Sequence, residues 1–118
     1  MYNRKAVLIK MTMYNYQSYL GLDDATYNAW EPRFQRVEDQ ALDQVRAYVP
    51  DYDTTKPNKL IHSYCEEVIF ITLFGDDLQT NLYNYHRNLL SSIEQRMRYT
   101  EDWRDNDETI TNSVSQKK

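Results

Sequence analysis

The hydrophobic positions of the chain recur mainly at three- and four-residue steps, which is the period of an amphipathic α-helix. The clearest series follows Asp23 and Asp24 and comprises Tyr27, Trp30, Phe34, Val37, Ala41, Val45 and Tyr48. Either aspartate can cap the start of this helix, and Pro50 ends it. Because Pro32 lies inside the series and lacks an amide hydrogen, we expect a kink there or a new helix that begins there.

A second apolar stretch, CEEVIFITLFG, runs from Cys65 to Gly75 in the middle of an otherwise polar chain. It follows the polar loop DYDTTKPNK, in which Pro57 and Asn58 can begin a helix. The residues after Val68 are apolar on every side and also favour β-strands, but only the segment KAVLI near the N-terminus could pair with such a strand. We therefore predict a buried central helix that ends at Gly75. Its predicted core residues are Val68, Ile69, Ile71 and Phe74.

Two further helices complete the predicted fold. Thr12 can cap a short first helix that runs to about Leu20 and ends at Gly21. Asp76 and Asp77 can cap the last helix. The apolar face of this last helix consists of Leu78, Leu82, Tyr85, Leu89, Ile93 and Met97. With only two glycines and three prolines, the chain has little turn chemistry, so we predict an all-α bundle of four or more helices.

The sequence becomes polar and aperiodic after about Tyr99, and its composition there is too polar to pack without a partner. We therefore divide the chain into an N-terminal extension (1–11), a helical domain (12–99) and a polar C-terminal arm (100–118). Trp103 and Ile110 are the sizeable apolar side chains that could anchor this arm to a partner. The alternative is that the arm folds back on its own subunit. Under the arm hypothesis, deletion of residues 101–118 removes assembly and leaves helical content and melting unchanged.

Composition limits the class of protein. At 118 residues, of which 41% are apolar, the chain suits one domain with a modest core. No run approaches the roughly 18 to 20 apolar residues that span a bilayer, and the N-terminal apolar segment is too short for a signal peptide. These features favour an intracellular product, and the single Cys65 allows no internal disulfide.

The net charge of −4 argues against a general nucleic-acid binder, which needs a basic surface. The charge is uneven along the chain. Residues 1–22 carry Arg4, Lys5 and Lys10 without an acidic residue, whereas residues 100–118 are mainly acidic. The two ends could meet across a subunit boundary, or both could be solvated termini.

No residue pattern indicates catalysis or metal binding. His62, Cys65 and Glu66 lie within one helical turn, but a structural zinc usually needs four ligands, and no second cluster is present. The same histidine and cysteine lack a glycine-rich turn that would accompany a nucleophile. Acidic pairs occur at Asp23–Asp24, Glu66–Glu67 and Asp76–Asp77. Two of these pairs stand at helix starts, where capping explains them. We predict no catalytic residue, no cofactor and no metal.

Tyrosine is unusually frequent, with eleven residues in the chain. Its ring is largely apolar and its hydroxyl polar, which suits protein interfaces as well as the rim of a small core. At helical spacing Tyr14 points away from Tyr16 and Tyr19, so the three rings are not expected to enter one core. Interface use and core rim explain this group equally well. The predicted partner-binding residues are Tyr14, Tyr16, Tyr19, Tyr83, Trp103 and Ile110.

The layout resembles that of the small helical head-to-tail connector (adaptor) proteins of tailed bacteriophages. The resemblance covers roughly residues 12–99 and rests on the helix order and on stretches such as MTMYNYQSYLGLDD and VRAYV. Pro32 and the N-terminal KAVLIK depart from that pattern. The resemblance implies a non-enzymatic subunit that forms a homo-oligomeric ring below the portal protein and docks a further neck or tail protein. It also implies that DNA passes through the axial channel without sequence-specific binding. Such a protein is made in the host cytoplasm, resides in the virion neck and does not enter a membrane.

Two other classes of protein fit the sequence. One is a small helical regulatory or inhibitory protein that binds one protein partner through a tyrosine-rich face. The other, less favoured by the net charge, is a nucleic-acid-binding helical domain that uses Arg4, Lys5 and Lys10. Formation of a ring, or binding to portal protein, distinguishes the connector from both.

Overall fold

Four α-helices follow one another in the computed structural model, which describes residues 12–108. They are α1 (Gln17–Leu20), α2 (Asp24–Tyr48), α3 (Lys59–Phe74) and α4 (Thr80–Tyr99). Single turns of 3-10 helix follow α3 at Gly75–Asp77 and α4 at Asp102–Asp105. α3 is the central helix and packs against both α2 and α4. The predicted all-α fold is confirmed, since residues 12–108 contain no strand beyond an isolated bridge between Asn58 and Asp107.

The first helix is shorter than predicted. It begins at Gln17, so the prediction that Thr12 caps it is wrong. The amide of Thr12 instead donates to the carboxylate of Glu31 on α2 (3.0 Å), and its hydroxyl donates to the carbonyl of Tyr14 (2.7 Å). These bonds hold the segment before α1 on α2 in a non-helical conformation. α1 ends as predicted at Gly21, which adopts the left-handed conformation (φ 68°) that glycine tolerates.

α2 is one continuous helix, so no new helix begins at Pro32. Asp23 caps it as predicted, accepting a hydrogen bond from the amide of the third residue that follows (2.7 Å). Pro32 cannot donate to the carbonyl of Asn28, but both residues are exposed, so water can satisfy that carbonyl. The helix ends at Tyr48, two residues before Pro50, as expected.

α3 begins after Asn58, whose fully buried side chain and backbone amide together connect four parts of the chain. Its Oδ1 accepts hydrogen bonds from the first amides of α3, at 2.9 and 3.2 Å. Its Nδ2 donates to the hydroxyl of Tyr52 (3.2 Å) and to the carbonyl of Trp103 (2.9 Å), and its backbone amide donates to the hydroxyl of Tyr14 (3.0 Å). The buried amide group is therefore fully hydrogen-bonded, as burial of a polar group requires.

The apolar second half of α3 is buried on fewer sides than predicted. Ile69 is fully buried, whereas Val68, Ile71 and Phe74 are only half-buried and Thr72 is exposed. The difference arises because α2 and α4 flank α3 and leave part of its circumference uncovered within residues 12–108.

α4 begins at Thr80, so Asp76 and Asp77 do not cap it and instead form the preceding 3-10 turn. Its predicted apolar face is only partly covered. Met97 is fully buried and the neighbouring Leu90 joins it in the core, but the residues nearer the start of the helix are more exposed. The half-buried positions are Leu78, Leu89 and Ile93, and the exposed ones are Leu82 and Tyr85.

The segment before α1 is held by the carboxylate of Glu38, which is buried on α2. This carboxylate accepts hydrogen bonds from the amides of Met13 (2.8 Å) and Tyr14 (3.1 Å) and from the hydroxyl of Tyr16. Burial raises the pKa of Glu38, and these three donors lower it in part. As expected, the rings of Tyr14, Tyr16 and Tyr19 do not all enter the core, since Tyr19 is 38% exposed. The expected separation of Tyr14 from Tyr16 is wrong, because the segment is not helical and both of these rings are buried.

Residues 100–108 pack on the helices rather than extending as an arm. Trp103 is fully buried, with its ring 5.0 Å from that of Tyr52, and its indole N–H donates to the carbonyl of Thr100 (2.9 Å). Two backbone bonds hold the segment to the start of α3: Lys59 N–H to Asn106 O (2.9 Å) and Glu108 N–H to Pro57 O (3.0 Å). These residues therefore belong to the same packed unit as residues 12–99. Residues 1–11, with KAVLIK, and residues 109–118, with Ile110, lie outside the described range.

The first prediction follows from the burial of Trp103. Trp103→Ala should lower the free energy of unfolding by about 3–5 kcal/mol, because it leaves a large cavity beside Tyr52. Urea unfolding followed by circular dichroism measures this loss. Tyr99→Ala is the control, since that ring is 72% exposed and its loss should change stability by no more than about 0.5 kcal/mol. Equal effects of the two substitutions would show that Trp103 is not part of the core. Deletion of residues 101–118 is likewise expected to destabilise the helices.

The second prediction concerns pH and follows from Glu38. Its pKa is raised above the ordinary value of 4.5 in the folded chain, so the native state holds this proton more tightly than the unfolded state does. Below a pH of 4.5, the ordinary pKa, Glu38 therefore makes its full contribution to the free energy of unfolding. This contribution is lost as the pH rises through the pKa that Glu38 has in the folded chain. The variant Glu38→Gln lacks this titration.

The stability of the wild type, measured relative to Glu38→Gln, should thus decline as the pH rises from about 4 to about 7, with a slope of at most about 1.4 kcal/mol per pH unit. Urea unfolding of both proteins across this range tests it. Other titrating groups, Glu66 among them, are present in both proteins and cancel in the difference. A difference that does not vary with pH would contradict the proposed burial of a titrating carboxyl.

Candidate interaction site

A cleft of about 420 Å³ lies between α3, α4 and Tyr19 of α1. α3 and α4 run side by side here, and each presents one flank to the cleft. The residues that line it are Tyr19, Ser63, Glu66, Glu67, Tyr85, His86, Leu89 and Ile93. The cleft thus combines carboxylates at its base with tyrosine and aliphatic side chains along its walls.

Glu67 fixes the inner end of the cleft. Its buried carboxylate accepts hydrogen bonds from the hydroxyl of Tyr19 and from Nδ1–H of His86 (2.8 Å). Burial raises the pKa of Tyr19, and the bond to Glu67 raises it further, so the phenol stays protonated and donates. The ring of His86 lies 4.3 Å from that of Phe70. These contacts connect α1, α3 and α4, which indicates that Glu67 holds the cleft in shape.

Of the two glutamates that line the cleft, Glu66 has fewer partners for its carboxyl group than Glu67. Its Oε2 lies 3.3 Å from Nε2 of His62, which is its only ion-pair partner within residues 12–108. That imidazole is shared, because its Nδ1 lies 2.6 Å from Oε2 of Glu108 and its Nε2 also lies 3.1 Å from the carbonyl of Asn15. Burial raises the pKa of Glu66, and His62 opposes this shift. Two carboxyl groups, those of Glu66 and Glu108, therefore share one histidine.

Exposed apolar side chains are concentrated on α1 and the first half of α4, and two of them, Tyr19 and Tyr85, line the cleft. Tyr19 is 38% exposed, Leu82 47%, Tyr83 37% and Tyr85 57%, and these are four of the five large hydrophobic side chains exposed within residues 12–108. Leu82, Tyr85 and Leu89 follow one flank of α4 at helical spacing. We call Tyr19, Leu82, Tyr83 and Tyr85 the apolar rim. Grouping of exposed apolar side chains in this way is typical of protein interaction sites.

The one cysteine of the chain does not line the cleft. Cys65 is fully buried away from it, and burial raises the pKa of its thiol well above the usual value, which keeps the thiol protonated. Within residues 12–108 no group of three or more histidine, cysteine and acidic side chains is arranged to hold a metal ion. The arrangement is suited to binding a surface that carries apolar and cationic groups.

The predicted partner-binding residues occupy three different environments. Tyr19 and Tyr83 lie on the apolar rim, where they remain predictions for partner contact. Tyr14, Tyr16 and Trp103 are buried in the core of the chain, so they offer no surface to a partner in this fold. Their polar atoms are directed inward to Asn58, Glu38 and Thr100. Ile110 lies outside the described residues.

Sequence reasoning missed Glu66, Glu67 and His86 as members of one site. The adjacent carboxylates were visible in the sequence, but His86 lies 19 residues from Glu67 and meets it only through the packing of α3 on α4. The sequence did contain one partial signal of this site. The predicted apolar face of α4 includes Leu82 and Tyr85, and a chain of this size has few residues with which to bury so long a face.

No protein-family model matches the chain, and no curated protein or solved structure shows detectable similarity to it. Among the described residues, no helix has the length and apolar character needed to cross a membrane. The function of the protein is therefore inferred from its own surface.

The third prediction tests how Glu67 shapes the cleft. Tyr19→Phe removes a hydrogen-bond donor from a buried carboxylate, so the free energy of unfolding should fall by about 1–2 kcal/mol. Tyr83→Phe is the matched control, since the hydroxyl of Tyr83 makes no hydrogen bond within residues 12–108, and its loss should be nearly neutral. Thermal and urea unfolding measure both effects. Equal losses in the two variants would mean that Tyr19 does not support Glu67.

Proposed function

We propose that the protein is a non-enzymatic structural subunit of the neck of a tailed bacteriophage. Copies of it form a ring that joins the portal protein to the next neck or tail component around an axial channel for DNA. The observation that carries this proposal is the apolar rim, together with the cleft that contains Glu66 and Glu67, which residues 12–108 leave uncovered.

The exposure of the rim supports an assembly role. Leu82 and Tyr85 are more than two-fifths exposed although both belong to the apolar face that the sequence predicts for α4. Covering such side chains with a partner removes apolar surface from water, with about 25 cal/mol gained per Å². Tyrosines add hydroxyl groups that can hydrogen-bond at the edge of an interface. An assembly subunit needs a surface of this kind, whereas a protein that acts alone gains nothing from it.

The resemblance to connector proteins supports the ring and its neighbours in the virion. The helix order on which the resemblance rests matches the order of α1 to α4. The net charge of −4 suits a channel that lets DNA pass without retaining it, because tight DNA binding needs clusters of lysine and arginine. In this proposal the subunit is made in the host cytoplasm and resides in the virion neck without contact to a membrane.

A regulatory or inhibitory protein is the second candidate, and the exposure of three tyrosines, Tyr19, Tyr83 and Tyr85, favours it. Such a protein would use the apolar rim to bind one partner in a small complex of fixed stoichiometry. The basic residues Arg4, Lys5 and Lys10, on which a nucleic-acid-binding role would depend, lie outside the described range.

The fourth prediction tests the proposed function. The purified protein, mixed with the portal protein encoded in the same genome, should form rings on the portal that are visible by negative-stain electron microscopy. The double substitution Leu82→Ser with Tyr85→Ser should abolish the rings while circular dichroism stays unchanged, because both side chains are exposed in the single chain.

Tyr99→Ser is the matched control, since it removes an exposed aromatic ring at the far end of α4 and should leave the rings intact. Absence of any complex with portal protein would refute the neck assignment. A complex of one subunit with one unrelated protein, without a ring, would favour the regulatory candidate instead.

A further inference from the structure

α4 presents two different surfaces on opposite sides. Successive residues of an α-helix are rotated by about 100°, so positions 82, 85 and 89 share one flank while positions 84, 87, 91, 95 and 98 lie roughly opposite. The first flank contributes Tyr85 and Leu89 to the cleft. The second is exposed along its whole length. We call this second set, Asn84, Arg87, Ser91, Gln95 and Arg98, the outer face of α4.

The outer face of α4 is cationic. Its charged residues are Arg87 and Arg98, and it contains no acidic residue. Arg87 has no ion-pair partner within residues 12–108. The guanidinium of Arg98 lies 5.0 Å from the ring centre of Tyr48 and also pairs with no carboxylate in that range. The remaining side chains of this face are small or uncharged, which permits close approach of another surface.

The cleft offers carboxyl and aromatic groups that a cationic surface can contact. Glu66 supplies a carboxylate that shares its only cationic neighbour, His62, with Glu108. The rim tyrosines Tyr19 and Tyr85 stand on either side of the cleft, where their ring faces can receive a guanidinium by a cation–π contact. Arginine is the cation best suited to such a site, because its planar group pairs with carboxylates and stacks on aromatic rings.

We infer that the cleft of one subunit receives the outer face of α4 of a second copy, with Arg87 paired to Glu66 of its neighbour. This inference rests on the proposed assembly function and specifies the two surfaces that meet in the ring. A single chain cannot make the contact with itself, because the two surfaces lie on opposite sides of the same helix. Every copy carries one of each, so the contact is head-to-tail and propagates until the ring closes.

The fifth prediction is a charge exchange measured by sedimentation velocity on the full chain over a range of concentrations. Wild-type protein should self-associate beyond a dimer, and higher salt should weaken the association. Arg87→Glu and Glu66→Lys should each weaken it by about tenfold or more, because each places like charges opposite one another. An equimolar mixture of the two variants should restore assembly, since every contact in an alternating ring again joins opposite charges.

Arg36→Glu is the matched control, because it makes the same change of charge at an exposed position of α2 outside both surfaces. It should assemble like the wild type. Circular dichroism melting checks that each variant folds. If Glu66→Lys fails to fold, Arg87→Glu and the milder Glu66→Gln still test the contact, and both should weaken assembly.

The inference is overturned if the wild type stays monomeric at millimolar concentration, if Arg87→Glu assembles normally, or if the mixture fails to recover. Failure of this contact is distinguishable from failure of the neck assignment. Rings on portal protein that tolerate Arg87→Glu would retain the proposed function and reject this interface. Charge-dependent self-assembly without any binding to portal protein would support the interface and reject the neck assignment.

Discussion

The buried amide side chain of Asn58 is the constraint on which the described fold depends. The side chain caps α3 and donates to the hydroxyl of Tyr52 in the loop and to the carbonyl of Trp103 in the C-terminal segment. The backbone amide of the same residue donates to the hydroxyl of Tyr14. Each of its side-chain donors and its acceptor is used. A buried amide that loses one partner incurs the full cost of desolvation, so these four regions of the chain are expected to order together.

The small size of the core explains why apolar side chains remain exposed on α4. α2 and α4 flank α3 and bury Ile69 and Met97 fully, but residues 12–108 contain no further helix to cover the start of α4. The apolar side of α4 therefore continues past the core as Leu82 and Tyr85. A chain of this length can build only a limited core. Binding of a partner would bury the apolar side chains that this core does not cover.

The two carboxyl groups that line the cleft, those of Glu66 and Glu67, differ in their hydrogen-bond and ion-pair partners. The carboxylate of Glu67 is hydrogen-bonded to His86 and Tyr19 and connects three helices, whereas Glu66 shares His62 with Glu108. The cationic side of α4 lies on the other side of the same helix. The head-to-tail contact that we propose uses these two surfaces, because such a contact needs two different surfaces on each copy.

Local patterns in the sequence determined the helical class, the capping of α2 by Asp23, the ends of α1 and α2 at Gly21 and before Pro50, and the central position of the helix that contains Ile69. These features depend on neighbours within a few residues, and the periodicity of the sequence records them. Only the tertiary structure decided that Tyr14, Tyr16 and Trp103 are buried and that Glu67 meets His86. Their environments are set by hydrogen bonds to Asn58, Glu38 and one another across 19 to 45 residues of chain, and no local pattern carries that information. For the same reason the sequence shows that α4 has an apolar side, but only the packing shows which part of that side remains uncovered.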